Sequence, residues 1–327
     1  IWEGLDLPAT SGFPNITRNW GSMENRGWEL MFVTDILKRD ELKLDVNFNI
    51  AHNENRITEI PEDFDFEYGS EANNGQYARR AMEGDPIGAF YGFRYLGVYP
   101  TDADAVARDA EGEVIHDVGG KPLYMRYGNA DGYRFRGGDA IYEDINHDGL
   151  VNELDIVWLG DSNPRFIGGF GSKMAWKNLT VTLFFHYRLG QDIVNRTKML
   201  NENMYSRNNQ SIAVLNRWRR QGDITDIPRA LYNQGYNWLG SDRFVEDGSF
   251  MRFKSASISY SFKKLAARIR LKEMKLHLMV YNLYTWTNYT GVDPEVPMLS
   301  NDPFFIGEDK ADTPPPQSYI LSFNLKF

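Results

Sequence analysis

One feature limits what this chain can fold into more than any other: a two-residue alternation of apolar and polar side chains, held over one segment after another. In residues 42–50, Leu42, Leu44, Val46, Phe48 and Ile50 alternate with Lys43, Asp45, Asn47 and Asn49. An extended backbone therefore sets a wholly apolar face against a wholly polar one. Just before it, Trp28, Leu30, Phe32 and Ile36 are predicted to share a face, and the polar run Lys38-Arg39-Asp40-Glu41 supplies the turn of a hairpin. The pattern returns at 179–188, after a glycine-rich strand near 166–176 and the short turn Lys177-Asn178. It returns again at 255–262, at 275–281 and at 318–327, where Tyr319, Leu321, Phe323, Leu325 and Phe327 form one row.

Strands of about 9 to 11 residues whose second face is Ser, Thr, Asn, Lys and His suit a barrel that meets lipid outside and water inside. A soluble β-sandwich would show the same polar face, but with shorter strands and turns spaced evenly at about 8 to 12 residues. Here short turns alternate with long connections at 61–87, 99–165 and 189–250. The pattern thus predicts an all-β chain forming part of an antiparallel transmembrane barrel, with long extracellular loops. Aromatics reach 14% although the mean hydropathy is −0.50, as one-sided strands require. No apolar run approaches the roughly 18 residues of a helical span. A net charge of −9 argues against a nucleic-acid partner, and the absence of cysteine removes disulfides and thiolate chemistry. Within the loops, Ile212, Leu215 and Trp218 are spaced for a short helix over 211–222.

One loop has the spacing of a cation site. Asp144, Asn146, Asp148, Leu150 (through its carbonyl), Asn152 and Asp155 stand at positions 1, 3, 5, 7, 9 and 12, with Gly149 at position 6. That is the oxygen-donor pattern of an EF-hand-type calcium loop, because a hard cation needs six or more oxygens and only a tight turn lets them converge. Asp at position 12 in place of Glu makes it dockerin-like, with a structural Ca2+ as the expected occupant. The competing reading is an Asx-rich turn held by its own hydrogen bonds. The five histidines, His52, His116, His147, His186 and His277, lie in separate segments, and no catalytic set emerges, so no enzyme activity is expected. Tyr232, Tyr236 and Trp238 are candidates for stacking on a ligand, and equally for packing within a loop.

Several segments, in order, resemble the SusC/RagA family of TonB-dependent transporters of Bacteroidetes-type outer membranes. They are Asn25-Arg26-Gly27-Trp28-Glu29-Leu30, Gly84-Asp85-Pro86-Ile87-Gly88-Ala89-Phe90-Tyr91-Gly92, and Gly138-Asp139 followed by Asp144-Ile145-Asn146-His147-Asp148-Gly149. Next come Asn163-Pro164-Arg165-Phe166-Ile167-Gly168-Gly169 and Glu246-Asp247-Gly248-Ser249-Phe250-Met251-Arg252. Asn282-Leu283 and Thr287-Asn288-Tyr289-Thr290-Gly291-Val292-Asp293-Pro294-Glu295 complete the series. Thr313-Pro314-Pro315-Pro316-Gln317 departs from the family's more usual Pro-x-[PS]-Arg.

The resemblance implies an outer-membrane barrel of about 22 strands closed by an N-terminal plug. Residues 1–327 would form its C-terminal part, about the last eight to ten strands, without plug or TonB box, and with Phe327 as the native end. It further implies active import of an oligomeric nutrient, a glycan or a peptide. A SusD-like surface lipoprotein and TonB would be the partners, and outer-membrane lipid would surround the wall. The alternative is a secreted β-rich glycan-binding protein carrying a dockerin-like calcium loop.

Overall fold

The computed structural model describes residues 2–6, 8–19, 21–60, 73–78, 80–295, 297 and 306–327. Residues 61–72 and 79 of the connection expected at 61–87 lie outside the described residues. The main sheet has seven strands: β1 Ser22–Lys38, β2 Leu42–Glu59, β3 Phe166–Trp176, β4 Leu179–Leu189, β5 Phe250–Ser261, β6 Glu273–Thr287 and β7 Ser318–Lys326. Each pairs antiparallel with its neighbour in sequence, giving an up-and-down wall. A hairpin of Trp2–Asp6 and Asn15–Asn19 forms a separate sheet.

The turns β1–β2, β3–β4 and β5–β6 are short and lie at one end, whereas β2–β3, β4–β5 and β6–β7 are joined by long connections at the other. Backbone bonds tie the short turns together: Lys177 N–H donates to the Glu41 carbonyl at 2.8 Å and Ser261 N–H to Asn178 at 2.9 Å. Lys177 takes φ +53°, the left-handed conformation of a tight hairpin turn. An α-helix, α1 (Arg196–Glu202), lies in the β4–β5 connection, and α2 (Lys263–Arg268) occupies the β5–β6 turn.

Strand register carries the alternation across the whole wall. Leu37, Leu44, Met174, Val181, Ile258, Leu278 and Leu321 fall in one cross-strand row. Phe32, Phe48, Phe170, Phe185, Phe253 and Tyr284 fall in another, with the rings of Phe170, Phe185 and Phe253 stacked at centroid distances of 4.8 and 4.5 Å. Lys43, Ala175, Thr180, Ser259, His277 and Ser322 form a row on the opposite face. Leu42, Leu44, Val46, Phe48, Val181, Leu183 and Ile258 share one face of the sheet and Lys43, Asp45, Thr182 and Ser257 the other, as the alternation implies. Ile36 differs: a bulge between Asp35 and Leu37 leaves it out of the pairing, and Leu37 takes the place opposite Leu44.

Among the described residues nothing covers the apolar face. Phe32 is 55% exposed, Ile258 47% and Leu321 71%, and neither buried apolar cluster includes a residue of the main sheet. A sandwich would bury this face first. β3 has 11 residues, and at about 3.4 Å per residue and a tilt of about 40° it rises roughly 25 Å, the height of an outer-membrane apolar band. Aromatics mark both ends of that band, with Trp176, Tyr260 and Phe323 near the short turns and Trp28, Phe166 and Trp286 near the long connections.

The long connections fold into a body of their own. Its core joins Tyr91, Phe93, Tyr99, Met125, Phe135 and Tyr142 from the β2–β3 connection to Leu239 from β4–β5. Small sheets brace it, among them Ala89–Gly92 with Val157–Asp161, and Asp192–Asn195 with Val245–Asp247 and Glu308–Asp309. The helix expected over 211–222 is a 3-10 turn, Ile212–Asn216, capped by the Ser211 hydroxyl.

Candidate functional site

The motif segments meet one another where the wall joins the loop body, and they do so as clasps. The Glu246 carboxylate accepts bonds from Thr290 N–H at 2.9 Å and Lys198 Nζ at 3.1 Å, while Ser249 Oγ accepts Gly190 N–H at 2.9 Å. Arg252 donates to Asp293 at 2.6 and 2.8 Å and to Glu295 at 2.8 Å. The segment around residues 246–252 is thereby bolted to that around 287–295. Arg252 is only 1% exposed, so removing either partner would strand a buried charge.

A second clasp centres on Asp139, which is fully buried. Arg229 grips it with two parallel bonds of 2.8 and 3.0 Å, and the Tyr133 hydroxyl donates at 2.9 Å. Burial, followed by the Asp139 charge, pushes the Tyr133 hydroxyl up to about 12. Residues some ninety positions apart are thus locked by a charge-assisted fork.

The loop at 144–155 closes on itself. His147 (φ +57°) and Gly149 (φ +83°) are both left-handed, curling the chain so that Asp148 N–H meets Asp144 and Asn146 oxygens at 3.2 Å each and Gly149 N–H meets Asp144 at 2.8 Å. Asp155 returns to the start of the loop, accepting Ile145 N–H at 2.8 Å and Asn152 N–H at 2.9 Å. Leu150 forms a two-residue strand with Val151, and Asn152 caps the following 3-10 turn through Leu154 N–H at 2.8 Å. Burial raises both Asp144 and Asp155 above the ordinary carboxylate range, and each also feels the Asp148 charge. Among the described residues no three His, Asp or Glu side chains group as a metal cluster. Any cation here would therefore draw on the amide oxygens of Asn146 and Asn152 and on a backbone carbonyl as well. The loop is held by its own Asx-type hydrogen bonds, and its oxygen donors are of the kind that a hard cation takes.

The three loop aromatics part company. Tyr236 stacks on Tyr127 at 3.8 Å with Tyr133 edge-on at 5.6 Å, and Trp238 packs on Tyr205 and over Gly75. Tyr232 is 54% exposed, with the Arg207 guanidinium 5.1 Å from its ring centre. Of the three, only Tyr232 presents an open ring. Residues that the sequence did not single out by role are those of the polar face beneath the clasps, where His186 stands directly across from Arg252 and Arg188 across from Phe250. Alternation placed His186 and Arg188 on that face, but not the burial that Asp293 and Glu295 bring.

Comparison with known proteins agrees with this architecture. No family model matches the chain. It is 27% identical over 335 residues to the TonB-dependent receptor P3 of Formosa agariphila, covering 98% of this chain and 30% of that protein. With the TonB-dependent receptor SusC of Bacteroides thetaiotaomicron it shares 22% identity over 346 residues, covering all of this chain and 29% of SusC. Among solved structures, the RagAB peptide transporter superposes with a TM-score of 0.69 at 21% identity, over 99% of this chain and 31% of that one. The resemblance to SusC/RagA-type TonB-dependent receptors thus extends over the whole chain, which spans about 30% of the length of the curated relatives it matches. Their barrel is the fold of which this wall forms a part.

Proposed function

We propose that the chain forms one sector of an outer-membrane TonB-dependent importer that takes up an oligomeric nutrient, a glycan or a peptide. The observation that carries this reading is the wall itself: seven strands in register, an uncovered apolar face about 25 Å high, and a polar face opposite. The apolar face meets lipid, the polar face lines the lumen, and the loop body stands at the extracellular mouth. There a SusD-like lipoprotein would cap the barrel and Tyr232 would be available to the cargo. TonB would act on the plug from the periplasm, and no covalent bond of the cargo would change. Bound Ca2+ at Asp144, Asn146, Asp148, Leu150, Asn152 and Asp155 would stiffen the mouth by neutralising carboxylates that now repel one another.

Cell fractionation and uptake test this reading. The full-length protein is expected in the outer-membrane fraction, needing detergent for extraction and migrating differently with and without heating. Uptake of labelled oligomers by intact cells should disappear when TonB is deleted. A protein soluble without detergent, or uptake that persists without TonB, would refute it.

A further inference from the structure

Near the mouth, the polar face of β4 and β5 carries more positive charge than its neighbours answer. Arg188, Arg252 and Lys254 come together there with His186, which feels the charges of all three and of Glu295. The matching acids are Asp293 and Glu295, both already held by Arg252, with Lys254 a further 3.5 Å from Glu295. Among the described residues the Arg188 side chain makes no ion pair or hydrogen bond. Its Nε, the Nε of Arg252 and the Nε2 of His186 are all buried without a hydrogen-bond partner.

Buried donors left without acceptors cost free energy, so an unanswered guanidinium on this face calls for an acceptor from elsewhere. Farther along the same face Lys173 stands directly across from Asp45, so those two charges answer one another. A guanidinium presents a planar fork that matches a carboxylate, which neither a neutral hydroxyl nor an amide oxygen does as well.

We propose that Arg188, beside His186, forms an anion-recognition site in the lumen wall, which takes a carboxylate of the transported oligomer. The proposal rests on the import reading and narrows it to acidic cargo. Two sources share the chemistry, a uronic-acid sugar and an acidic peptide side chain.

The test uses the purified full-length protein in detergent and isothermal titration with three probes: oligogalacturonate, oligoglutamate and a neutral malto-oligosaccharide. At least one acidic probe should bind more tightly than the neutral one, with affinity falling as salt rises. Arg188→Gln should weaken that binding about tenfold to a hundredfold, the loss of one charge-assisted contact, and leave the neutral probe unchanged. Arg188→Lys, which keeps the charge but not the fork, should lie between. Preference for oligogalacturonate assigns the carboxylate to a sugar and preference for oligoglutamate to a peptide, both supporting the site. Equal binding by wild type and Arg188→Gln, with heat-modifiable migration intact in both, would overturn it, as would the absence of acidic binding. Failure of the import reading is seen separately, as cellular uptake that does not depend on TonB while the purified protein still binds the acid.

Discussion

At the scale of single residues, Gly168 and Gly169 show how a short motif becomes geometry. A Cβ on Gly168 would lie 2.2 Å from the Asn49 carbonyl and 2.4 Å from the Tyr187 hydroxyl, and one on Gly169 would lie 2.7 Å from the Phe184 ring. Each glycine leaves a gap that a neighbouring aromatic fills, on opposite faces of the wall. Gly168→Ala should cost about 1 to 3 kcal/mol, since the opposing backbone cannot yield; urea titration of the folded barrel, followed by its heat-modifiable migration, would measure the loss. In the 144–155 loop, Asp144→Ala with Asp148→Ala should abolish binding of one divalent ion and increase protease cleavage there, with the barrel intact. Terbium luminescence would follow it. Because burial raises the Asp144 and Asp155 carboxylates, they regain protons at a higher pH than ordinary aspartates do. Ion binding needs them ionised, so it should weaken as pH falls through that raised range. Unchanged luminescence in the double variant would reject the site.

At the scale of elements, the two faces of one strand make opposite demands. Ile258 lies in the middle row of the apolar face and Ser257, its neighbour, on the other. Ile258→Arg is expected to cost about 2 to 4 kcal/mol at the bilayer midplane, and Ser257→Arg little, because the lumen side is wet. Equal losses in denaturant titration would show that the wall does not meet lipid on the assigned face. This two-residue alternation is local, which is why residues 42–50, 179–188 and 318–327 could be assigned to strands and faces from sequence. The bulge at Ile36 could not, because it depends on how β1 and β2 pair across the turn. The loop body was hidden for the same reason: Asp139 finds Arg229, and Arg252 finds Asp293, across separations that no local pattern encodes. For Tyr236 and Trp238 the sequence leaves ligand stacking and loop packing both open, and the contacts with Tyr127, Tyr133 and Tyr205, distant in the chain, decide for packing; α1 is not legible because seven residues carry too little periodicity.

At the scale of the whole molecule, the wall cannot be stable as it stands alone. β7 pairs with β6 along residues Glu273 to Tyr281, and β1 pairs with β2, so among the described residues the outer edges of β1 and β7 have no strand beside them. In hydrocarbon each unpaired backbone group costs several kcal/mol, so a spanning sheet must close on itself. Seven strands in simple order leave that closure to strands beyond this sheet, in keeping with a chain about 30% as long as its relatives. β7 is then the strand through which one edge is joined: its apolar row Tyr319, Leu321, Phe323 and Leu325 continues the lipid face of Val280, Leu278, Leu276 and Met274. Deleting residues 319–327 from the full-length protein would remove that row and expose the edge of β6 along its whole paired length. No other described strand is placed to substitute, since the partners of β6 are β5 and β7 alone. The expected result is loss of outer-membrane insertion and of heat-modifiable migration, with the product degraded or aggregated in the periplasm. Normal insertion and migration after that deletion would mean that β7 does not carry the closure of the barrel.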